Sequence, residues 1–519
     1  MPNIRRTTLA VSFALSSIAL AAQARGNIHR VKHVIVLMQE NHSFDNYFGA
    51  LPYVPHGPYR AGPCDKNDHA CVDGLSCTRS GTGLSCRNSN LDDDGSRVAS
   101  FHLRNFCVAP DLDHEWPGSH LEANFNNPAL TRLASPNDGF VRVNDATEQK
   151  DNGVESPTED ETMGFYDQGD VPFYYSLAQT FAISDRYFSS VIGPTFPNRS
   201  YALAATSFGH LTTAEIFPPP GGYKPNTGTI MDLLDRRGVS WINFFSDLPT
   251  TAIFRAPDIG KTMQPVTEFF VKAPAKDTKI PCTLPAVSFV DPGFGVAGVE
   301  TDEHPPADIR LGQSFVSNIV SALRASSCWD DSVLFFTYDE HGGFYDHVAP
   351  PKAKQGGRRN PDGIDPGLCE DASSPPASEQ PGGGQQCVVS RFQAAAICPG
   401  FAPPPAPPGP YPAFCANFDQ LGFRVPFVAV SPFSRPHYVS HEVADHTSML
   451  AFIEKRFLSG EDGKDDEDDE DDDARQHLTA RDRHASTLED LFDFERAPSA
   501  RAVVPSPTRP NASCTPESP

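Results

Sequence analysis

Short, nearly continuous apolar runs recur along the chain: His33–Met38, Phe181–Ser184, Ser240–Phe245, Ser332–Tyr338 and Val425–Val430. Runs of this length with little polar alternation are the pattern of strands buried on both faces. Between them, Thr229–Arg237, Gln313–Ala325 and Thr447–Phe457 carry apolar residues at helical spacing. Strands alternating with helices predict an α/β domain built on a mostly parallel sheet flanked by helices.

Two stretches break this rhythm. Residues 58–108 are rich in Gly, Asn, Asp and Cys, and residues 352–420 in Pro, Gly and Cys. Neither offers a periodic apolar face, so both are expected to be Cys-rich loop insertions. The chain has 12 Cys, and none shows the C-x-x-C spacing of a zinc knuckle, which favours disulfides in an oxidising compartment. An export signal fits the same picture. Arg5 and Arg6 precede the apolar run Leu9–Ala22, and Ala22-Gln23-Ala24 offers a cleavage site. The expected organisation is a signal over 1–24, a catalytic domain over 25–457 and an acidic, Pro-rich tail over 458–519. The expected location is secreted or periplasmic, with the Arg pair hinting at the twin-arginine route.

Net charge is −24, and Glu461–Asp473 alone holds eleven acids and one Lys. Such a chain lacks the basic surface that nucleic acid or anionic lipid requires, so no nucleic-acid partner is expected. A phosphate-bearing substrate must be held by a metal or a small local cluster of cations. The acidic run itself reads as a solvated, mobile segment, with calcium binding as the less favoured alternative.

Acids cluster where strands end. His33–Met38 runs into Gln39-Glu40-Asn41-His42-Ser43-Phe44-Asp45-Asn46, and Ser332–Tyr338 into Asp339-Glu340-His341-Gly342-Gly343. Open α/β sheets place their sites at the carboxyl edge, so Glu40, Asn41, Asp339 and Glu340 make a hard, oxygen-rich set suited to one divalent cation. A third segment, Gly193-Pro194-Thr195-Phe196-Pro197-Asn198-Arg199, leads into a helical pattern. There Thr195 is either a plain N-cap or a hydroxyl nucleophile. His114, His304, His341, His347 and His446 all sit beside acids and are candidates for proton transfer.

Val34–Gly49, Gly193–Arg199, Asp302–Pro306, Tyr338–Val348 and Asp445–Phe457 occur in that order, well separated. Together they resemble the bacterial phospholipase C and acid phosphatase family, which includes the plant non-specific phospholipases C. The resemblance implies a fold similar to the alkaline phosphatase and sulfatase superfamily. It also implies one metal ion of unspecified identity on Glu40, Asn41, Thr195, Asp339 and Glu340, with Thr195 as nucleophile. His114 and His304 match positions expected to bind the phosphoryl group or protonate the leaving group, and His341, which follows the metal-binding Asp339-Glu340 pair in its motif, is counted with them as catalytic.

The spacing Thr195-x-Pro197-x-Arg199 is also that of the sulfatase signature, but threonine cannot be oxidised to formylglycine, which points to phosphoryl transfer. Threonine rather than serine tilts the resemblance towards a phospholipase C, with a phospholipid substrate and transient membrane-surface contact. The large bacterial members carry additional C-terminal β-domains where this chain has residues 458–519. An acid phosphatase acting on soluble monoesters is therefore the alternative. An inactive secreted binding protein on the same scaffold is the alternative of another class. No obligate protein partner is expected.

Overall fold

In the computed structural model, the described residues are 28–353, 418–459 and 476–496, less 82, 93–94, 109–110, 125–135, 146–158, most of 209–220, 226 and 419. The export signal, most of the second insertion and the acidic run lie outside them.

The predicted strands form at the core of one eight-stranded sheet. In chain order its members are β1 (His33–Gln39), β2 (Ala182–Ser184), β3 (Trp241–Phe245), β4 (Met263–Pro265), β5 (Val287–Asp291), β6 (Ser332–Tyr338), β7 (Phe427–Val430) and β8 (Val439–Ser440). Their order across the sheet is β4-β3-β5-β1-β6-β7-β2-β8. Only β7 runs antiparallel to its neighbours. Every residue of β5, β6 and β7 is buried, because helices and loops cover both faces. The sequence reading passed over β5, where Ser288 interrupts an apolar run between Pro285 and Pro292. It also passed over β4 and β8, edge strands too short to leave a pattern.

The helices that matter below are α1 (Phe44–Phe48), α2 (Trp116–Ala123), α3 (Pro172–Thr180), α4 (Thr195–Ala204), α5 (Ile230–Arg236), α6 (Ile309–Ala325), α7 (His446–Phe457) and α8 (Ala480–His484). Their starts are written in the sequence. Asp308 caps α6, while Thr229 with Asp232 and Asp445 with Ser448 form capping boxes on α5 and α7. On α6, Ile309, Val316, Ile319, Val320 and Leu323 turn one apolar stripe inward. Helix α7 packs on α4 and on α8.

The first insertion is not a shapeless loop. Cys77–Ser80 and Gly83–Cys86 form an antiparallel ribbon closed by the Cys77–Cys86 disulfide, and Cys64–Cys71 closes a neighbouring turn. Cys282–Cys328 forms a further bridge, and Cys107 is also disulfide-bonded. Beyond 457, Leu478, Leu491, Phe492 and Phe494 are buried in the main core, so this part of the C-terminal segment packs on the domain rather than trailing from it. Among the described residues no helix is long and apolar enough to cross a membrane.

Candidate active site

Strands β1 and β6 are parallel neighbours in which Gln39 lies opposite Tyr338, so both acidic turns leave the sheet side by side. Glu40, Asn41, Asp339 and Glu340 are all buried there. The turn after Glu340 comes so close that a Cβ on Gly342 would lie 2.0 Å from the Asn41 carbonyl oxygen, and its φ of +64° also demands glycine. Asn41 Oδ1 and Glu340 Oε1 are buried acceptors that receive no hydrogen bond. Orphaned acceptors beside carboxylates are costly unless a cation or donor meets them.

Helix α4 is locked onto the same edge. Arg199 Nη2 lies 3.0 Å from Glu40 Oε1, and its Nε lies 3.1 Å from Asp339 Oδ2. Thr195 is four residues earlier, on the face of α4 that carries Arg199. Pro194 takes the N-cap position, so Thr195 opens the helix as its first residue, partly exposed. The plain N-cap alternative is therefore not what the fold uses.

The histidines divide by environment. His114 is buried, with Nδ1 donating to the Leu112 carbonyl (2.7 Å) and Nε2 3.9 Å from Glu340 Oε1. His304 stacks edge-on against it at 5.3 Å, is more exposed, and has Nε2 3.8 Å from Asp111 Oδ2. Burial lowers the affinity of His114 for protons, but Glu340 and Asp111 outweigh it and raise its pKa to about 10. His304 is likewise disfavoured as a cation by burial and raised overall by Asp111. Burial pushes Asp339 up to about 8, with Glu40 and Glu340 adding to the rise against Arg199. Asp302 is raised to about 8 by burial and by Glu40. Glu340 goes the other way, to about 2, because His114 and His341 overcome its burial. Carboxyl groups driven apart in this way mark a site organised around charge. Orphaned oxygens and crowded acids fit a hard divalent cation.

The family model of the "Phosphoesterase family" matches residues 31–458, a span that contains every one of these groups. The chain belongs to the phosphoesterase family. It is a phosphoric ester hydrolase. The phosphoesterase is 28% identical over 479 residues to non-specific phospholipase C6 of Arabidopsis thaliana, covering 90% of this chain and 73% of the relative. It is 27% identical over 519 residues to phospholipase C B of Mycobacterium tuberculosis strain H37Rv, covering 95% of this chain and 82% of the relative. Among solved structures, Ps i-CgsB in complex with k-i-k-neocarrahexaose matches with a TM-score of 0.32 at 10% identity, over 63% of this chain and 71% of that one. A likeness that slight carries no argument.

His341, expected among the catalytic groups, lies beside Glu340. It is buried, with Nε2 2.7 Å from Glu122 Oε2 and Nδ1 3.1 Å from Glu340 Oε2. Burial disfavours its charged form, yet Glu122 and Glu340 raise its pKa to about 9. Both nitrogens thus face carboxylates, one of them that of Glu340. Glu122 comes from α2 and is a partner that no local motif announced. His446 is also buried, its Nε2 2.6 Å from the Asp339 carbonyl oxygen.

Glu303 is the second residue of the phosphoesterase that sequence reasoning missed. Its carboxylate is buried and accepts from the hydroxyls of Tyr47 and Tyr338, each at 2.6 Å, and from that of Tyr174. Its backbone has φ of +80°, a conformation that costs a non-glycine residue about 1–3 kcal/mol and persists only where the surroundings enforce it. The inward anchor of Glu303 fixes the residues on either side. Asp302 accepts at its carbonyl from the Glu40 N–H (2.8 Å), and His304 faces Asp111.

Proposed function

We propose that this phosphoesterase is an exported, metal-dependent phospholipase C that releases diacylglycerol and a phosphorylated head group. The fold behind it is inferred to be of the alkaline phosphatase and sulfatase kind. Glu40, Asn41, Asp339 and Glu340, with the Thr195 hydroxyl, would hold one divalent cation. That ion would supply Lewis-acid stabilisation of charge on the phosphoryl oxygens and a lowered pKa for the threonine hydroxyl. In the first step Thr195 Oγ gives up its proton to solvent and attacks phosphorus, forming an O–P bond as the bond to the diacylglycerol oxygen breaks. His304, cationic beside Asp111 and partly exposed, donates the proton that leaves with that oxygen. His114, deeper and charged, offsets the non-bridging oxygens. Water then attacks the phospho-threonine and gives its proton to His304, the Thr195 Oγ–P bond breaks as the head-group phosphate departs, and Thr195 takes a proton back from solvent.

The observation that carries this reading is the pair of orphaned acceptors, Asn41 Oδ1 and Glu340 Oε1, at the strand ends to which Arg199 ties the helix of Thr195. The phospholipase C relatives support the choice of substrate. Parallel turnover of p-nitrophenyl phosphate, p-nitrophenylphosphorylcholine and phosphatidylcholine vesicles tests it. Diester and vesicle hydrolysis are expected. Hydrolysis of the monoester alone would keep the site and make the protein an acid phosphatase.

A further inference from the structure

We propose that Glu454, His477 and Asp482 form a second divalent-cation site, distant in sequence from the catalytic groups, that clasps the C-terminal segment to α7. The inference stands apart from the phospholipase reading and does not depend on it. Glu454 lies in the last turns of α7, whereas His477 and Asp482 belong to the segment 476–496 that returns to the core. One nitrogen and two carboxylate oxygens from these residues all lie within 4.8 Å of one another.

Two features set this group apart from other acidic clusters. The Glu454 and Asp482 side chains are almost wholly buried, and Glu454 Oε1 receives no hydrogen bond. Its other oxygen, Oε2, lies 2.8 Å from His477 Nδ1. Two buried carboxylates in contact need positive charge or a proton to offset their desolvation. Of the cations adjacent in sequence to these two carboxylates, Arg481 bonds to Asp445 and Lys455 pairs with Glu489. Asp482 is already oriented by the N–H groups of Leu478 (2.6 Å) and Thr479 (2.8 Å) and by the Thr479 hydroxyl (3.2 Å). A carboxylate has about four lone-pair sites, so these bonds leave capacity for a metal and hold the ligand as outer partners do in metal sites.

Outside the active site, the other groupings of this kind among the described residues lack these features. Cys64 is committed to a disulfide, Arg424 already sits between Asp45 and Asp346, and His102 with Asp167 and Asp170 is partly exposed. One imidazole nitrogen with two carboxylates suits a borderline ion of the Zn²⁺ class, with water completing the shell.

The test uses the full chain, stripped with a chelator and dialysed against Zn²⁺, with bound metal counted by elemental analysis. His477→Ala and Glu454→Gln are each expected to bind one equivalent less than wild type. Any weak binding by Glu461–Asp473 is common to all three proteins and cancels. Added Zn²⁺ should raise Tm less in His477→Ala than in wild type, while turnover of p-nitrophenylphosphorylcholine at saturating metal stays equal. His477 is partly exposed, so its variant keeps the test open if Glu454→Gln fails to fold. Equal stoichiometry in wild type and the folded variants would overturn the proposal and leave a carboxyl pair sharing a proton. A missing equivalent in a protein without esterase activity would support this site and count against the phospholipase reading alone.

Discussion

Two clusters of buried charge lie side by side in sequence and are resolved in opposite ways. Asp45, Asp346 and His347 follow the two acidic turns by a few residues, and Arg424 joins them from the start of β7's approach. The guanidinium of Arg424 reaches Asp346 Oδ1 at 2.9 Å and Asp45 Oδ1 at 3.0 Å, while His347 lies 2.6 Å from Asp45 and 3.2 Å from Asp73. Donors and acceptors there balance internally. Around Glu40, Asn41, Asp339 and Glu340 they do not, because Arg199 satisfies only two of the four residues and acceptors remain. Closely related residue types thus build a structural clamp in one place and a receptive site in the other. The surplus of acceptors is the mark of the second.

The largest effect expected from this contrast is on turnover. Thr195→Val keeps shape and removes the hydroxyl, so kcat should fall by at least about 10⁴-fold, as for other nucleophile deletions, with the fold unchanged by circular dichroism. A near-normal rate would end the proposed mechanism. The clamp should answer in stability instead. Arg424→Met leaves Asp45 and Asp346 buried without their partner and should cost about 3–5 kcal/mol in urea unfolding, the range for breaking a buried ion pair. If that variant were as stable as wild type, the clamp would not be structural.

A smaller effect separates positioning from catalysis at the site itself. His341→Asn removes a partner of Glu340 without touching substrate, so metal affinity should drop about 10–100-fold, with kcat recovering at saturating metal. A loss of kcat that no metal concentration rescues would return His341 to the catalytic groups.

How much of this was readable in the sequence follows from how local each signal is. The long central strands and the capped helices announce themselves through short-range patterns, and β1, β6, α6 and α7 lie where those patterns place them. The acid turns at strand ends were legible for the same reason. The partners were not. Glu122 meets His341 across a sequence separation of 219, and the three tyrosines that seize Glu303 come from three separate segments. A glutamate beside His304 looks like any acidic turn residue until tertiary packing turns its side chain inward. The role of Arg199 was half visible, since its motif was noticed while its two carboxylate partners required the sheet register.

The effect that is smallest per pH unit is the clamp's share of the pH dependence. Burial disfavours the His347 cation, but Asp45 and Asp73 outweigh it and raise its pKa to about 10, from the ordinary value of 6.5. A raised folded-state pKa means that its stabilisation is complete below about 6.5 and is lost as pH climbs through about 10. Asp45 is depressed by His347 and Arg424 in spite of its burial, so its contribution instead fades towards acid, below the ordinary carboxylate range. Wild type should therefore lose stability between neutral and alkaline pH at no more than about 1.4 kcal/mol per pH unit from this one proton. In His347→Gln that slope should be shallower, and the gap between the two proteins in urea unfolding should be widest near pH 6 and narrow towards pH 10. A gap of constant size across that window would mean that the imidazole fills space in the clamp without carrying its charge, and the balance that distinguishes the clamp from the active site would then rest on Arg424 alone.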